Sequence, residues 1–190
     1  MLTEWNTRAQ NRKFVASYSG GKDSSLALYQ AMQMGEPVAL IVMLEEQGLK
    51  SRSHGMSLDI IHAQAKAIGL PIYSASATWQ DYENQFIQLL RKAQALGAES
   101  LVTGDIDLMA HAEWNQSVCD KSELSLCMPL WQCPRLDIVH EFIQLGFQSI
   151  IVTVNLSLGM TVEDLGQVLS LEYVNELVAR GRIQISPNIN

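Results

Sequence analysis

Short apolar runs alternate with segments of helical periodicity along most of the chain, and this alternation constrains the fold more than any other feature. The run 37–44, PVALIVML, is continuously apolar and rich in β-branched residues, which is typical of a strand covered on both faces. Strands that alternate with helices predict an α/β fold, in which helices cover both faces of a mostly parallel sheet. The predicted strands cover residues 14–16, 37–44, 71–73, 99–103 and 148–154.

Helical periodicity predicts helices between and after these strands. Gly69 and Gly97 are expected to end two of them, because glycine readily adopts the left-handed conformation found after a helix C-terminus. The last helix carries an apolar stripe and is expected to pack on the sheet or against a second subunit, so a homodimer is one expected assembly. The predicted helices begin near Leu26 and then cover residues 57–68, 82–96, 138–145 and 162–178.

Length and composition favour one globular domain. The chain has 190 residues, 47% of them apolar, and no unbroken apolar run of transmembrane length, so no membrane contact is expected. Residues 1–12 are polar and lack the apolar stretch of a secretion signal, which predicts a flexible N-terminal leader and a cytoplasmic location. Residues 13–190 are then expected to form a single domain, with 161–190 as a candidate C-terminal subregion.

Charge and cysteine content argue against several classes of protein. The formal net charge of −7 repels polyanions, which disfavours nucleic acid as a partner unless a local basic stripe exists. Cys119, Cys127 and Cys133 are odd in number and lack Cys-x-x-Cys spacing, which argues against both a disulfide framework and a zinc site. No base is adjacent to Cys119 or Cys127, so we expect buried, unreactive thiols.

The segment SYSGGKDSS, residues 17–25, joins the first predicted strand to the first predicted helix. Gly20 and Gly21 let the backbone bend so that several N–H groups point into one concavity, and the helix start adds the positive end of its dipole. Lys22 adds a mobile positive charge. The segment therefore predicts a phosphate or pyrophosphate site. Further hydroxyl donors come from Ser19, Ser24 and Ser25.

One alternative to a phosphate site stays open for this segment, and another is excluded. An ordinary glycine turn with a serine helix cap stays open as an alternative. The usual phosphate loop of nucleoside triphosphatases, Gly-x-x-x-x-Gly-Lys-Ser/Thr, is excluded, because Ala16 occupies the first glycine position and Asp23 follows Lys22.

The polar segment after the second strand, EEQGLKSRSHGMS, lies at the same predicted sheet edge as the glycine turn. Lys50, Arg52 and His54 could close over a nucleotide or an anionic substrate, and His54 stands out because histidine titrates near neutral pH. A solvated loop balanced by Glu45 and Glu46 is equally compatible with the sequence.

A second polar cluster, TGDID, follows the strand predicted at 99–103. Gly104 allows close backbone approach to a ligand, and Asp105 or Asp107 could orient a nucleophile or merely cap the next helix. Asp23 is a better candidate than either for a Mg²⁺ ligand, because it already lies beside the phosphate site.

Trp131 lies between two prolines in CMPLWQCP, a predicted loop. Its ring could stack on a base or line a substrate pocket, or it could anchor the loop on the core. His62, His111 and His140 fall on predicted helices and are expected to be structural or surface residues.

The glycine turn closely resembles the Ser-Gly-Gly-Lys-Asp-Ser signature of the PP-loop ATP pyrophosphatases, which split ATP into AMP and pyrophosphate. An ordered series of shorter motifs is similar to the diphthine–ammonia ligase branch of that superfamily, from about Val15 to Gly166. The series comprises Ser53-His54-Gly55, Gln64-Ala65, Gly69-Leu70-Pro71, Gly104-Asp105-Ile106, Pro129-Leu130-Trp131 and Gly146-Phe147.

This resemblance implies an adenine nucleotide α-hydrolase-like fold, with three αβα layers, five parallel strands and ATP laid across the strand ends. It also implies a C–N ligase that uses ATP and Mg²⁺, activates a carboxylate as an acyl-adenylate and captures it with ammonia to form an amide. The implied partners are therefore a small-molecule or protein-borne carboxylate acceptor and ammonia or an ammonia donor.

The resemblance also implies roles for individual residues. The expected catalytic residues are Lys22, Asp23, His54 and Asp105, with Asp23 as the metal ligand. The expected acceptor contacts are Arg52 and Trp131. The expected ATP contacts are Ser19, Gly20, Gly21, Lys22, Asp23, Ser24, Ser25, Met43 and Gly104.

Two other functions stay open at this point, namely modification of a tRNA base by the same adenylation step and nucleotide binding without catalysis. Members of the resembled branch usually continue into a Cys-Gly-Glu-x-Gly-Glu type segment that faces the acceptor, whereas this sequence ends with IQISPNIN. Three expectations follow from that difference: the chain is truncated at that point, the protein has abandoned the amide-forming step, or it uses a different acceptor.

Overall fold

The computed structural model describes residues 4–181. The chain folds into two compact units, Met1–Trp131 and Gln132–Asn190. The subregion expected at 161–190 lies inside the second unit.

The first unit is built on a five-stranded, entirely parallel sheet in the order β3-β2-β1-β4-β5. This arrangement confirms the predicted α/β class and the parallel sheet, because strands that are consecutive in the chain are joined by helical crossovers. The strands are β1 (Lys13–Ser17), β2 (Glu36–Leu44), β3 (Ile72–Ser76), β4 (Ser100–Val102) and β5 (Ser125–Cys127).

Helices cover the sheet and complete a three-layer, Rossmann-like architecture. The helices of the first unit are α1 (Lys22–Met32), α2 (Leu58–Ile68), α3 (Tyr82–Ala95) and α4 (Met109–Lys121). Gly69 ends α2 with φ +82°, as predicted. The helix α1 packs on β1, β2 and β4, while α3 packs on β2 and β3 and against α4.

The alternating direction of side chains along β1 explains how one strand contributes to packing on both faces of the sheet. Val15 belongs to the core cluster that includes Phe86 and Leu90 of α3, whereas its neighbour Phe14, also fully buried, lies outside that cluster. Successive side chains of a strand point to opposite faces of its sheet, so a central strand must be apolar throughout. The continuous apolar run of β2 has the same cause.

The prediction of a strand at 148–154 is wrong. In the structure this segment is irregular, with a single antiparallel bridge between Ile150 and Val168. Ile150 and Val152 are 59% and 60% exposed, which shows that the apolar run is not buried in a sheet. The fifth strand is β5 instead, in a segment for which no strand was predicted from the sequence; its Leu126 and Cys127 are fully buried.

The prediction of one helix over 162–178 is also wrong. The structure has a short 3₁₀ helix at Val162–Asp164 and then α6 at Leu171–Ala179, while α5 (Arg135–Gln144) comes earlier in the second unit. Gly166 adopts φ +80°, which interrupts a helix, and Ser170 then caps α6 by accepting a hydrogen bond from the N–H of Tyr173 at 3.1 Å.

Buried Asp164 ties the two ends of this segment together. It accepts hydrogen bonds from the backbone N–H of Thr161 at 2.8 Å, from the hydroxyl of Tyr173 and from Arg180 at 3.0 Å. These donors, with Tyr173 first, hold the pKa of Asp164 well below its ordinary value, at about 2. The carboxylate is therefore ionised and serves as the hydrogen-bonding centre of the segment.

Part of the N-terminal segment is packed against the first unit, although a flexible leader over 1–12 was expected from the sequence. Residues Glu4–Asn6 form a short 3₁₀ helix, and the amide of Asn6 donates to the carbonyl oxygens of Met128 and Pro129 at 3.1 and 3.0 Å. Ala9 is fully buried.

Burial also settles the state of two cysteines. Burial raises the pKa of Cys119 to about 12 and that of Cys127 to about 11, so both thiols stay protonated near neutral pH, as expected.

Along the described part of the chain, no helix combines the length and the apolar character needed to cross a bilayer.

Candidate active site at the carboxyl edge of the sheet

The strand order places a switch point beside β1. The chain moves from β1 to β2 on one side and later returns to β4 on the other side, so the loops after β1 and β4 turn in opposite directions, the arrangement in which open α/β sheets form a ligand crevice. Ligands of open α/β sheets bind at such crevices, at the carboxyl ends of the strands. The segments 17–25 and 103–107 both begin at this edge.

The glycine turn forms a concave group of unpaired backbone donors, here called the phosphate loop (residues 19–24). Gly20 adopts φ +79°, and Gly21 precedes α1 in an extended conformation without a side-chain cap. Among the described residues, no acceptor is hydrogen-bonded to the backbone N–H groups of the phosphate loop. Unpaired N–H groups at a helix start attract an anion, and the alternative of an ordinary capped turn is not what the structure shows.

The serine side chains shape the phosphate loop from within. The hydroxyls of Ser24 and Ser25 donate to the carbonyl oxygen of Gly21 at 3.0 and 2.9 Å. Ser19 donates to the hydroxyl of Ser24 at 3.2 Å. The hydroxyls expected to contact phosphate are therefore engaged in holding the loop, while the N–H groups stay available.

Two charges lie at the start of α1. The Nζ of Lys22 is 2.6 Å from Oδ1 of Asp23, and both side chains are about one-third exposed, at 31% and 34%. No group of three or more His, Cys, Asp or Glu side chains in residues 4–181 is arranged to hold a metal ion. Mg²⁺ is usually bound by one or two carboxylates together with substrate phosphates, so Asp23 beside the phosphate loop suits that mode.

Side chains from the segment after β2 and from α2 cover the glycine pair. A Cβ atom at Gly21 would lie 2.4 Å from Nε2 of His54, and a Cβ atom at Gly20 would lie 2.6 Å from Oε1 of Gln64. Gln64 donates from Nε2 to the carbonyl oxygen of Gly20 at 3.4 Å, and its Oε1 is buried without a partner. Only glycine, which has no Cβ atom, leaves room for His54 and Gln64 to lie this close to the backbone of the loop.

His54 is positioned to touch whatever the phosphate loop holds. Although much of the residue is exposed, partial burial of its ring lowers its pKa below the ordinary value of 6.5; Asp23 opposes this shift and Lys22 reinforces it. Partial burial therefore favours the neutral imidazole, which lies beside the loop. The structure thus brings together His54, Lys22 and Asp23, and their catalytic roles stay predictions.

The loop after β4 touches the phosphate loop from the other side of the crevice. A Cβ atom at Gly104 would lie 2.8 Å from the backbone C of Asp23 and 2.9 Å from the backbone N of Ser24. The next residue, Asp105, accepts a hydrogen bond from Nδ2 of Asn115 at 2.7 Å and lies 3.0 Å from Nδ1 of His111. Asp105 does not form the cap of α4, which the sequence analysis kept as an alternative.

Arg52 is held beside two aromatic rings. Its guanidinium lies 4.3 Å from the ring centroid of Trp79 and 5.8 Å from that of Tyr82, and it donates a hydrogen bond to the carbonyl oxygen of Ala77. Burial raises the pKa of Tyr82; the charge of Arg52 opposes that shift, and Asp105 adds to it. The phenol of Tyr82 therefore lies close enough to Arg52 and to Asp105 to interact electrostatically with both, and these two residues lie on opposite sides of the crevice.

Two predicted site residues are placed in the core. Met43 is 6% exposed, and only its backbone carbonyl reaches the covering segment, where it accepts from the N–H of Arg52 at 3.1 Å. Trp131 is 3% exposed and packs edge-on against Trp5 at 5.5 Å between ring centroids. For Trp131 this geometry favours the alternative in which the ring anchors its loop.

The sequence analysis missed several residues of the crevice, and one signal could have found some of them. His111 and Asn115 are four residues apart, so they share a face of α4, the helix that follows the segment containing Asp105. That spacing is readable from the sequence. Nothing in the sequence indicates the approach of Tyr82 and Trp79 to Arg52, because it depends on how the segments after β2 and β3 meet.

One family model covers the part of the chain that forms this site. A family model described as the diphthamide synthase N-terminal domain matches residues 12–126, which include the phosphate loop, its cover and Asp105. The chain matches no curated protein. It is similar to the crystal structure of a predicted subunit of tRNA methyltransferase from Methanocaldococcus jannaschii, with 18% identity over 73% of this chain and 80% of that one and a TM-score of 0.49. The chain belongs to the diphthamide synthase N-terminal domain family, within the PP-loop ATP pyrophosphatases.

Proposed function

We propose that the protein is an ATP-dependent amide ligase that adenylates a carboxylate, releases pyrophosphate and forms an amide with ammonia. Membership of the PP-loop family indicates an ATP-using enzyme of the pyrophosphatase type, and members of that family bind ATP, usually with Mg²⁺. To this family-level function the proposal adds a specific reaction, the formation of an amide from a carboxylate and ammonia.

The observation that carries the proposal is the set of unpaired N–H groups in the phosphate loop, with Lys22 beside them, at the switch point of the sheet. These donors suit the two outer phosphoryl groups of ATP. Gripped in this way, the nucleotide would leave its α-phosphorus open to attack from the side of Asp105.

The residues present fit ATP and one Mg²⁺ ion. A Cβ atom at Gly20 or Gly21 would clash with Gln64 or His54, so the glycine pair lets these polar side chains lie against the phosphate loop, and Asp23 supplies a partly exposed carboxylate next to it. When bound, Mg²⁺ would neutralise charge on the phosphates. Lys22 and the loop N–H groups would stabilise the charge that develops on the departing pyrophosphate, and His54 would donate a hydrogen bond to it.

The proposed chemistry has two balanced steps. A carboxylate oxygen attacks the α-phosphorus, and the bond from that phosphorus to the bridging oxygen breaks with its electron pair leaving on pyrophosphate. Ammonia then attacks the acyl carbon, the carbon–oxygen bond to AMP breaks, and one proton is released. The products are an amide, AMP and pyrophosphate.

Arg52 is the proposed contact for the acceptor carboxylate. No acidic side chain of residues 4–181 forms an ion pair with its guanidinium, and its buried Nε has no hydrogen-bond partner. A partly buried cation normally has an anionic partner, and arginine pairs with carboxylates through two parallel hydrogen bonds. Trp79, which is 74% exposed, holds this guanidinium flat at the entrance.

The proposed function is tested by product analysis. The full chain is incubated with ATP, Mg²⁺, ammonium and a panel of carboxylic acids, and nucleotides are separated by ion-exchange chromatography. We expect AMP and pyrophosphate in equal amounts with at least one acid and dependence of AMP on that acid. Exclusive formation of ADP, or no turnover with any acid, would overturn the proposal.

Arg52→Lys is expected to raise KM for the acid about tenfold, the scale of one charge-assisted hydrogen bond, because lysine keeps the charge but loses the planar fork. The measurement is the rate of AMP formation as a function of acid concentration. Arg91→Lys, an exposed change on α3, serves as the matched control and should leave KM unchanged. An unchanged KM in Arg52→Lys would remove Arg52 from the acceptor site.

A further inference from the structure

Asp105 is held by two side chains from α4, and this arrangement sets the chemistry of one of them. Nδ2 of Asn115 donates to Oδ2 of Asp105 at 2.7 Å, while Nδ1 of His111 lies 3.0 Å from Oδ1. The carboxylate is about one-quarter exposed, whereas the imidazole is 60% exposed. Both oxygens are thus engaged, and the imidazole lies on the open side.

The carboxylate fixes the tautomer of the imidazole. An ionised carboxylate only accepts hydrogen bonds, so the nitrogen that faces Asp105, Nδ1 of His111, carries the proton. In a neutral ring the other nitrogen, Nε2, then carries the lone pair. Within residues 4–181, Nε2 of His111 has no hydrogen-bond partner, so it can accept a proton from a ligand.

The second proposed step needs such a group. Ammonia is largely protonated at neutral pH, and the nitrogen must lose a proton before or as the amide forms. Of the two histidines that the described residues place at this edge, His54 covers Gly21 and serves the phosphates. His111 lies instead beside Asp105, whose preceding residue touches the backbone of Asp23.

We propose that His111 is the base of the amide-forming step: its Nε2 takes the proton of the attacking nitrogen while Asp105 holds the ring through Nδ1. This inference rests on the proposed ligase function. Nε2 takes one proton from ammonium, which becomes the neutral nucleophile, and passes that proton to water. As the carbon–nitrogen bond forms and the carbon–oxygen bond to AMP breaks, the electron pair leaves on AMP, and the nitrogen releases its second proton to water. The same division of roles between a carboxylate and an imidazole operates in serine hydrolases.

A purely structural role predicts a different outcome. If the pair only ties the loop after β4 to the first turn of α4, its loss would disturb both reaction steps alike. Every amine loses a proton as the acyl product forms, but ammonium must also lose a first proton before its nitrogen can attack, so the base matters most for ammonium. Hydroxylamine is largely neutral at pH 7, so it attacks an acyl-adenylate with little need of a base and gives a hydroxamate that can be measured by its iron complex.

The kinetic experiment compares ammonium with hydroxylamine in the wild type and in His111→Gln, with His62→Gln, an exposed change on α2, as the matched control. For His111→Gln we expect an about 100-fold lower rate with ammonium and an about threefold or smaller change with hydroxylamine. Equal losses with both nucleophiles, or no loss with ammonium, would overturn the assignment. Failure of the wild type with every acid overturns the proposed function instead.

A second measurement needs no acceptor acid. The ¹⁵N shifts of the imidazole nitrogens distinguish the two neutral tautomers, and we expect the Nδ1–H form for His111 in the wild type and a loss of that preference in Asp105→Asn. An Nε2–H tautomer for His111 in the wild type would overturn the inference, because that nitrogen could not accept a proton.

Discussion

Lys22→Ala is expected to lower the rate of AMP formation about 100- to 1,000-fold, the cost of removing one preorganised donor from a site where charge develops. Lys22 is the only cation within the phosphate loop, where its charge offsets the growing charge on pyrophosphate. Its side chain is 31% exposed and makes one ion pair, with Asp23, so the fold should stay intact. The measurement is kcat for AMP formation at saturating ATP and acid.

Lys66→Ala is the matched control for this change. Lys66 is exposed near the end of α2, and its replacement removes the same charge from the molecule without touching the phosphate loop. We expect its rate to equal that of the wild type. Wild-type turnover in Lys22→Ala, or the same loss in Lys66→Ala, would show that a direct contact with the departing group is not what Lys22 provides.

The phosphate loop could be predicted from the sequence because its chemistry is local. Gly20 adopts the positive φ that the turn requires, and the helix start that follows leaves N–H groups unpaired without any help from distant residues. The glycine pair, the lysine and the adjoining apolar strand are all contiguous in the chain. A local sequence pattern of this kind therefore predicts the folded conformation without knowledge of tertiary contacts.

The fifth strand could not be predicted, because membership in a sheet is decided by tertiary packing. The run containing Ile150 and Val152 has higher β propensity than the short segment of β5, and yet it is exposed. The chosen segment is fixed by its partners, since β5 pairs with β4 and its Leu126 fills the core. Propensity alone therefore favoured the wrong segment.

Residue type was a poor guide to the acceptor side of the crevice. Trp131 looked like a ligand contact but is buried against Trp5, whereas Trp79, which the sequence analysis did not consider, is exposed beside Arg52. Both are tryptophans that follow a strand of the structure, Trp79 after β3 and Trp131 after β5. Only the burial of each ring distinguishes an anchor from an entrance residue, and burial depends on the folded chain.

Gly104→Ala is expected to destabilise the protein by about 1–3 kcal/mol, as overpacked sites do, and to lower the rate of AMP formation about 100-fold. The new Cβ atom would lie 2.8 Å from backbone C of Asp23, and backbone cannot move aside as a flexible side chain can. Relief of the clash would displace the start of α1 and with it the phosphate loop. Chemical denaturation measures the first effect, and the AMP assay on folded protein measures the second.

Gly35→Ala separates these two effects. Its Cβ atom would lie 2.3 Å from the backbone oxygen of Ala9, an equally rigid neighbour, but Gly35 precedes β2 and so lies at the amino edge of the sheet, away from the phosphate loop. We expect comparable destabilisation with AMP formation close to that of the wild type at a temperature where both variants are folded. If both variants lost activity in proportion to stability, the contact of Gly104 with α1 would not position the phosphate loop. Loss confined to Gly104→Ala would show that the two sides of the crevice are held in register through this one contact.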